Sequence, residues 1–295
     1  MDRLRGTAEM TAAMMISGTI GWFVVVSGQP VMNVVLWRCL FGAGTLLAIC
    51  GWKGWLRRDV IPPRLFLLAA LGGVAIVVNW LLLFAAYSRA SIAIATAVYN
   101  TQPFMLVGLG ALFFGERLTF SRFAWLVTAF AGMLLIVQAK PGASHVGTDY
   151  LSGIALALGA AFFYAVAAII TKKLKGTPPH LIALIQVTVG VAMMAPFADL
   201  ADLPAGPGSW LLLLTLGVVH TGLMYILLYS AIQRLPTSLI GALSFIYPIA
   251  AIAVDFLAFG HRLQPGQLLG AAGILLAAAG MNLGWTIGRP RPKAA

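Results

Sequence analysis

The sequence predicts an all-α polytopic membrane protein of ten transmembrane helices, arranged as two inverted five-helix repeats. Three observations predict it: the composition, the length of the apolar blocks, and a match of the sequence to itself at a fixed offset. Of 295 residues, 61% are hydrophobic and 9% are charged, where a soluble domain carries about 25% charge. Mean hydropathy is +0.95, which does not suit a surface facing water. The apolar residues come in blocks of about 20, the length that crosses ~30 Å of hydrocarbon as helix. Barrel strands would instead alternate over ~10-residue segments.

In chain order, the expected spans are Thr7–Ser27, Val31–Gly51, Arg64–Ser88, Ser91–Phe114, Ser121–Gln138, Tyr150–Thr171, His180–Ala198, Ser209–Ile232, Pro236–Phe259 and Gly266–Thr286. Linkers rich in Gly, Pro and charge separate them, such as Gly28-Gln29-Pro30, Ile61-Pro62-Pro63, Lys140-Pro141-Gly142 and Thr177-Pro178-Pro179. Arg3 and Arg5 before the first apolar run resemble a signal peptide, but no small-x-small cleavage site follows. The first span is therefore expected to be retained.

Basic residues set the orientation. With the amino terminus inside, the inner segments hold Arg3, Arg5, Lys53, Arg57, Arg58, Arg64, Arg117, Arg122, Lys172, Lys173, Lys175, Arg234, Arg289, Arg291 and Lys293, a total of 15. The outer segments hold 3: Arg89, Lys140 and Arg262. That asymmetry predicts an inner-membrane protein with both termini cytoplasmic and an even number of spans. It also explains the net charge of +11 without nucleic acid, because the charges cluster in short loops between apolar blocks.

Asn79–Phe120 aligns without a gap to Met224–Pro265, an offset of 145, with 11 of 42 positions identical. The identities include Arg89 with Arg234, Pro103 with Pro248, Phe114-Gly115 with Phe259-Gly260, and Arg117-Leu118 with Arg262-Leu263. The halves are expected at residues 1–140 and 150–288. Each has five spans, an odd number, so the second enters the membrane the other way up. Inverted repeats of this kind are common in secondary transporters.

On the two five-span halves, the Trp37-Arg38 pair and Gly115-Glu116-Arg117-Leu118, the chain resembles the drug/metabolite transporter superfamily, specifically its ten-helix EamA-type exporters. The second-half counterpart reads Gly260-His261-Arg262-Leu263, so His261 stands where the family usually has an acidic residue. The resemblance implies a central cavity lined by spans 1, 3, 4, 6, 8 and 9, with spans 5 and 10 peripheral. It also implies export, with amino acids and related metabolites as the nearest substrate class.

Pro103 and Pro248 each lie 12 residues into their spans, roughly 18 Å from the start and near the midplane. A proline removes an intrahelical hydrogen bond and frees a carbonyl. Two breaks at matched depth point to a midplane binding site, although ordinary kinks would also place proline there. The candidate cavity residues gather around them: Trp22, Asn79, Trp80, Tyr87, Tyr99, Asn100, Gln102, Tyr164, His220, Tyr225, Ser244 and Tyr247. Helix–helix hydrogen bonds would equally explain the polar ones, and a lone His220 is more often a satisfied core histidine.

Arg38 and Asp255 are the charges placed clearly within spans. They could pair with each other or snorkel; alternatively Arg38 could receive a carboxylate and Asp255 a proton. The shortage of midplane charge argues against sugar phosphates and lipophilic cations. An amphipathic, nearly neutral solute fits an aromatic wall with few polar groups, and aromatic or other neutral amino acids are the specific expectation. No cofactor or metal is expected: His145, His180, His220 and His261 lack ligand spacing, and no Walker A sequence occurs. Cys39 and Cys50 share one apolar block and frame no disulfide scaffold. The expected partners are a small-molecule substrate and the lipid bilayer; Asp255 could carry a coupling proton, and facilitated diffusion, which needs no such residue, stays open beside it. The competing expectations are a channel-like facilitator, an exporter of other amphipathic solutes or drugs, and a membrane-embedded enzyme, which lacks a catalytic cluster.

Overall fold

The computed structural model describes residues 2–57, 59–89, 92–138, 149–199, 203–204, 206–259 and 264–287. Gly260-His261-Arg262-Leu263 lies outside them, as do the side chains of Tyr87 and Asp255. Among the described residues the regular structure is helical: α1 (Asp2–Ser27), α2 (Val31–Trp52), α3 (Pro63–Arg89), α4 (Ile92–Tyr99), α5 (Gln102–Phe114), α6 (Phe120–Gln138), α7 (Tyr150–Lys173), α8 (Pro179–Met194), α9 (Pro207–Gly217), α10 (Met224–Arg234), α11 (Thr237–Ser244), α12 (Ile246–Phe259) and α13 (Pro265–Leu283). A short 3₁₀ turn, Ala195–Phe197, extends α8, and a π turn, Val218–Leu223, joins α9 to α10.

These pieces make ten helices long and apolar enough to cross a bilayer. Span 4 is α4 with α5, span 8 is α9, the π turn and α10, and span 9 is α11 with α12. The outward surface is apolar: Leu71, Leu112, Leu151, Leu211, Leu257 and Leu269 are each more than half exposed. Such a face belongs against lipid.

The two proline-bearing spans are interrupted at matched places. α4 ends at Tyr99 and α11 at Ser244, which are the residues four before Pro103 and Pro248. A proline nitrogen has no hydrogen to give to the carbonyl four residues back. The missing bond therefore falls where each first segment stops.

Helices from residues 2–138 pack against helices from residues 149–283. α3 runs along α7, α1 along α10 and α12, α5 along α7 and α11, and α6 along α13. Glycines permit the closest approaches. A Cβ on Gly132 would come within 2.6 Å of the Gly270 carbonyl, which explains the tight pairing of spans 5 and 10. A Cβ on Gly241 would come within 3.1 Å of Pro103, so α11 lies against the break in span 4.

Candidate functional site

Aromatic residues from three spans converge inside the bundle. Ile76 of α3, Tyr164, Ala167 and Ala168 of α7, and Tyr225, Leu228, Tyr229 and Ile232 of α10 line a small cavity with room for about one water. Tyr225 and Tyr229 sit edge to face at 5.2 Å, and Tyr99 of α4 approaches Tyr164 at 6.3 Å. The i, i+4 spacing of Tyr225 and Tyr229 puts both rings on one face of α10. The hydroxyl of Tyr229 donates to Oε1 of buried Gln186 on α8. The Gln186 amide nitrogen has no partner among the described residues.

Several polar residues expected in the cavity serve as helix ties. Asn79 is buried and its amide donates to the Ala160 carbonyl at 2.7 Å, joining α3 to α7. Asn100 donates to Thr96 at 2.8 Å and closes the end of its own segment. Ser244 does the same toward Gly241 at 2.7 Å. His220 lies in the π turn, with Nε2 2.7 Å from the Thr19 hydroxyl and Nδ1 3.4 Å from the Thr215 carbonyl. Both ring nitrogens are engaged, so His220 joins span 1 to span 8.

The remaining candidates divide. Trp80 stands beside Arg38, whose guanidinium carbon is 5.7 Å from the ring centre. Gln102 is buried at the start of α5, with Oε1 unpartnered among the described residues. Trp22 packs edge-on to Phe23 at 4.8 Å, and Tyr247 packs half-buried against the core. Pro103 is buried beneath α11, and Pro248 is buried in the first turn of α12.

Arg38 is 9% exposed. Its Nε donates to the Thr221 hydroxyl at 3.1 Å and its Nη2 to the His220 carbonyl at 3.4 Å. Thr221 in turn donates to the Leu216 carbonyl at 3.1 Å. An arginine in an apolar block was conspicuous in the sequence. Its partners were not, because a π turn leaves no sequence signature.

A second polar group joins the two halves around the linker after α5. Glu116, in the linker after α5, accepts from Lys172 Nζ at 2.8 Å and from the Thr237 hydroxyl at 2.7 Å and amide at 2.8 Å. Lys172 also donates to the Leu235 carbonyl at 2.6 Å. Burial pushes the Glu116 carboxyl up, but hydrogen bonds from Lys172 and Thr237 and the lysine charge outweigh it. The carboxyl is held below its ordinary range. Nearby, Glu9 of α1 accepts from Arg234 at 3.0 Å and from Ser230 at 2.6 Å, and pairs with Arg5 at 2.9 Å. Both clusters tie residues of the first half to residues of the second. Sequence reasoning had Glu116 only as part of a short motif and missed Glu9, because neither looks special without its partner.

Similar proteins agree with this architecture. The profile of the EamA-like transporter family matches twice, over residues 7–138 and 151–283. The transporter YxxF of Bacillus subtilis (strain 168) is 31% identical over 286 residues, covering 93% of this chain and 88% of its own. The threonine/homoserine exporter RhtA of Escherichia coli (strain K12) is 31% identical over 248 residues, covering 81% and 78%. A crystal structure superposes with a TM-score of 0.84 over 94% of this chain and 96% of its own. At 20% identity, that likeness speaks to the fold alone. The family and these relatives are transporters rather than enzymes. The chain is a multi-pass membrane transporter and belongs to the EamA-like transporter family.

Proposed function

We propose that this transporter is a secondary carrier that moves amino acids, aromatic or otherwise neutral, out of the cell by alternating access. Its halves are read as inverted repeats, both termini as cytoplasmic and the membrane as the inner membrane. One observation carries the mechanism. Polar contacts join the halves (Glu116 with Lys172 and Thr237, Glu9 with Arg234 and Ser230) beyond an interior lined by Tyr164, Tyr225 and Tyr229, and we read the joined end as the closed one.

The closed end carries the loops assigned to the inside by their basic residues. This arrangement therefore corresponds to a carrier sealed toward the cytoplasm. Opening that end requires the contacts to part, and closing the other end requires a matching change in the second member of each repeat. The broken spans 4 and 9 supply segments that can pivot without breaking intact backbone bonds. The amino-acid class is supported by the name of the exporter RhtA and by an aromatic wall with few charges. A proton coupled through Asp255 is part of the proposal.

Purified protein in liposomes, preloaded with unlabelled amino acid, tests it. Labelled threonine or phenylalanine should accumulate transiently by exchange, and an imposed pH gradient should change the rate. Flux that does not saturate and ignores internal substrate would favour a channel-like facilitator. Exchange of unrelated amphipathic drugs instead of amino acids would redirect the substrate class.

A further inference from the structure

We propose that Arg38 is the anchor for a substrate carboxylate. This rests on the carrier reading above for the word substrate, but not for the binding itself. A guanidinium stays charged at any physiological pH and offers five N–H donors in a planar fork. Arg38 is buried within an apolar span, where an uncompensated charge is costly. The ion pairs among the described residues lie elsewhere: Arg5 and Arg234 with Glu9, Arg57 with Asp59, and Lys172 with Glu116. Among the described residues the hydrogen-bond partners of Arg38 are neutral, a threonine hydroxyl and a backbone carbonyl.

Those partners aim the group. Thr221 is itself fixed by its bond to Leu216, so it holds the guanidinium by Nε. His220 takes a single Nη2 hydrogen through its carbonyl. Among the described residues the Nη1 side of the fork has no partner and is left for a ligand, and two parallel N–H bonds from the terminal nitrogens suit a carboxylate.

The location suits the same ligand. Trp80 flanks the guanidinium and packs in the same cluster as Ile76, Ala167 and Tyr164, which line the cavity. A π turn is also common where a helix serves a functional site. A carboxylate reaching Arg38 would meet the one buried charge that the described residues leave without a counter-charge. The Trp80 ring would then stand near its amino group, where a cation is attracted to a ring.

The experiment compares L-phenylalanine, 3-phenylpropanoate and 2-phenylethylamine as ligands of the full chain in detergent, read by thermal stabilisation. The two carboxylates should stabilise the wild type, and the amine should not. Arg38→Lys keeps the charge but loses the fork, and should bind the carboxylates about tenfold more weakly. Arg38→Gln should lose them by up to about a hundredfold. Stabilisation by the amine equal to that by the acids, or by no carboxylate at all, would overturn the proposal. So would unchanged binding in a folded Arg38→Gln. If that variant does not fold, the ligand series on wild type and Arg38→Lys decides. Counterflow in liposomes separates the two readings. Carboxylate binding without exchange would keep the anchor and remove the carrier, and exchange indifferent to the carboxylate would do the reverse.

Discussion

Lys172, at the end of α7, lies 2.8 Å from Glu116 in the linker after α5, joining the two halves of the chain by an ion pair. Both side chains are mostly buried, at 13% and 19% exposure, so water screens them less than it would a surface pair. Glu116→Gln removes the charge while keeping a hydrogen-bond acceptor for Thr237. It should weaken this contact between the halves by about 1–3 kcal/mol. The expected outcome is faster maleimide labelling of a thiol placed at cavity residue 232 by Ile232→Cys, with the bundle still folded by gel filtration. Unchanged labelling would mean that this pair does not hold the end shut.

The same carboxyl gives a pH dependence with a definite sign. Its folded-state value is held down by Lys172 and Thr237, so the folded form binds fewer protons than the unfolded one. Its stabilisation is fully present above the unfolded value of about 4.3. It is lost as pH falls through the lower folded value. Thermal unfolding of wild type and Glu116→Gln should therefore differ at pH 7 and converge in acid. A gap that widens in acid contradicts the assignment.

Tyr229 and Gln186 form a buried pair beside the cavity. Tyr229→Phe leaves the Gln186 side chain with neither end bonded among the described residues. The cost should be about 1–3 kcal/mol, the range for an abandoned buried polar group. Adding Gln186→Leu should recover part of it. A double variant no more stable than Tyr229→Phe alone would mean that the cost is steric rather than polar.

Replacing Pro103 and Pro248 together by Ala restores the hydrogen that each proline lacks. α4 should then run on into α5, and α11 into α12. The variant should fold and bind, but exchange substrate several-fold more slowly; full activity would remove the broken spans from the mechanism.

The membrane fold was legible because bilayer thickness writes directly into block length, and matched prolines wrote the two breaks. Individual roles were less legible. Asn79, Asn100 and Ser244 bear the polar atoms a binding site needs, but α3 and α7 lie close enough for Asn79 to find Ala160, and the other two bond within their own segments. Glu9 and Glu116 read as loop charges, since partners 225 and 56 positions away (Arg234 and Lys172) are set by packing rather than by spacing. The π turn that brings His220 and Thr221 to Arg38 follows from backbone hydrogen bonding that the side-chain pattern does not encode.

The central claim is that the Glu116–Lys172 end must part during each transport cycle. It is tested most directly by Glu116→Cys with Lys172→Cys, made in a chain whose buried Cys39 and Cys50 have been replaced by Ser. With the new pair reduced, liposomes should exchange labelled amino acid. Bridging the two thiols with a short bis-methanethiosulfonate should stop exchange, and reductant should restore it. Exchange that continues at its full rate with the bridge formed would contradict the account.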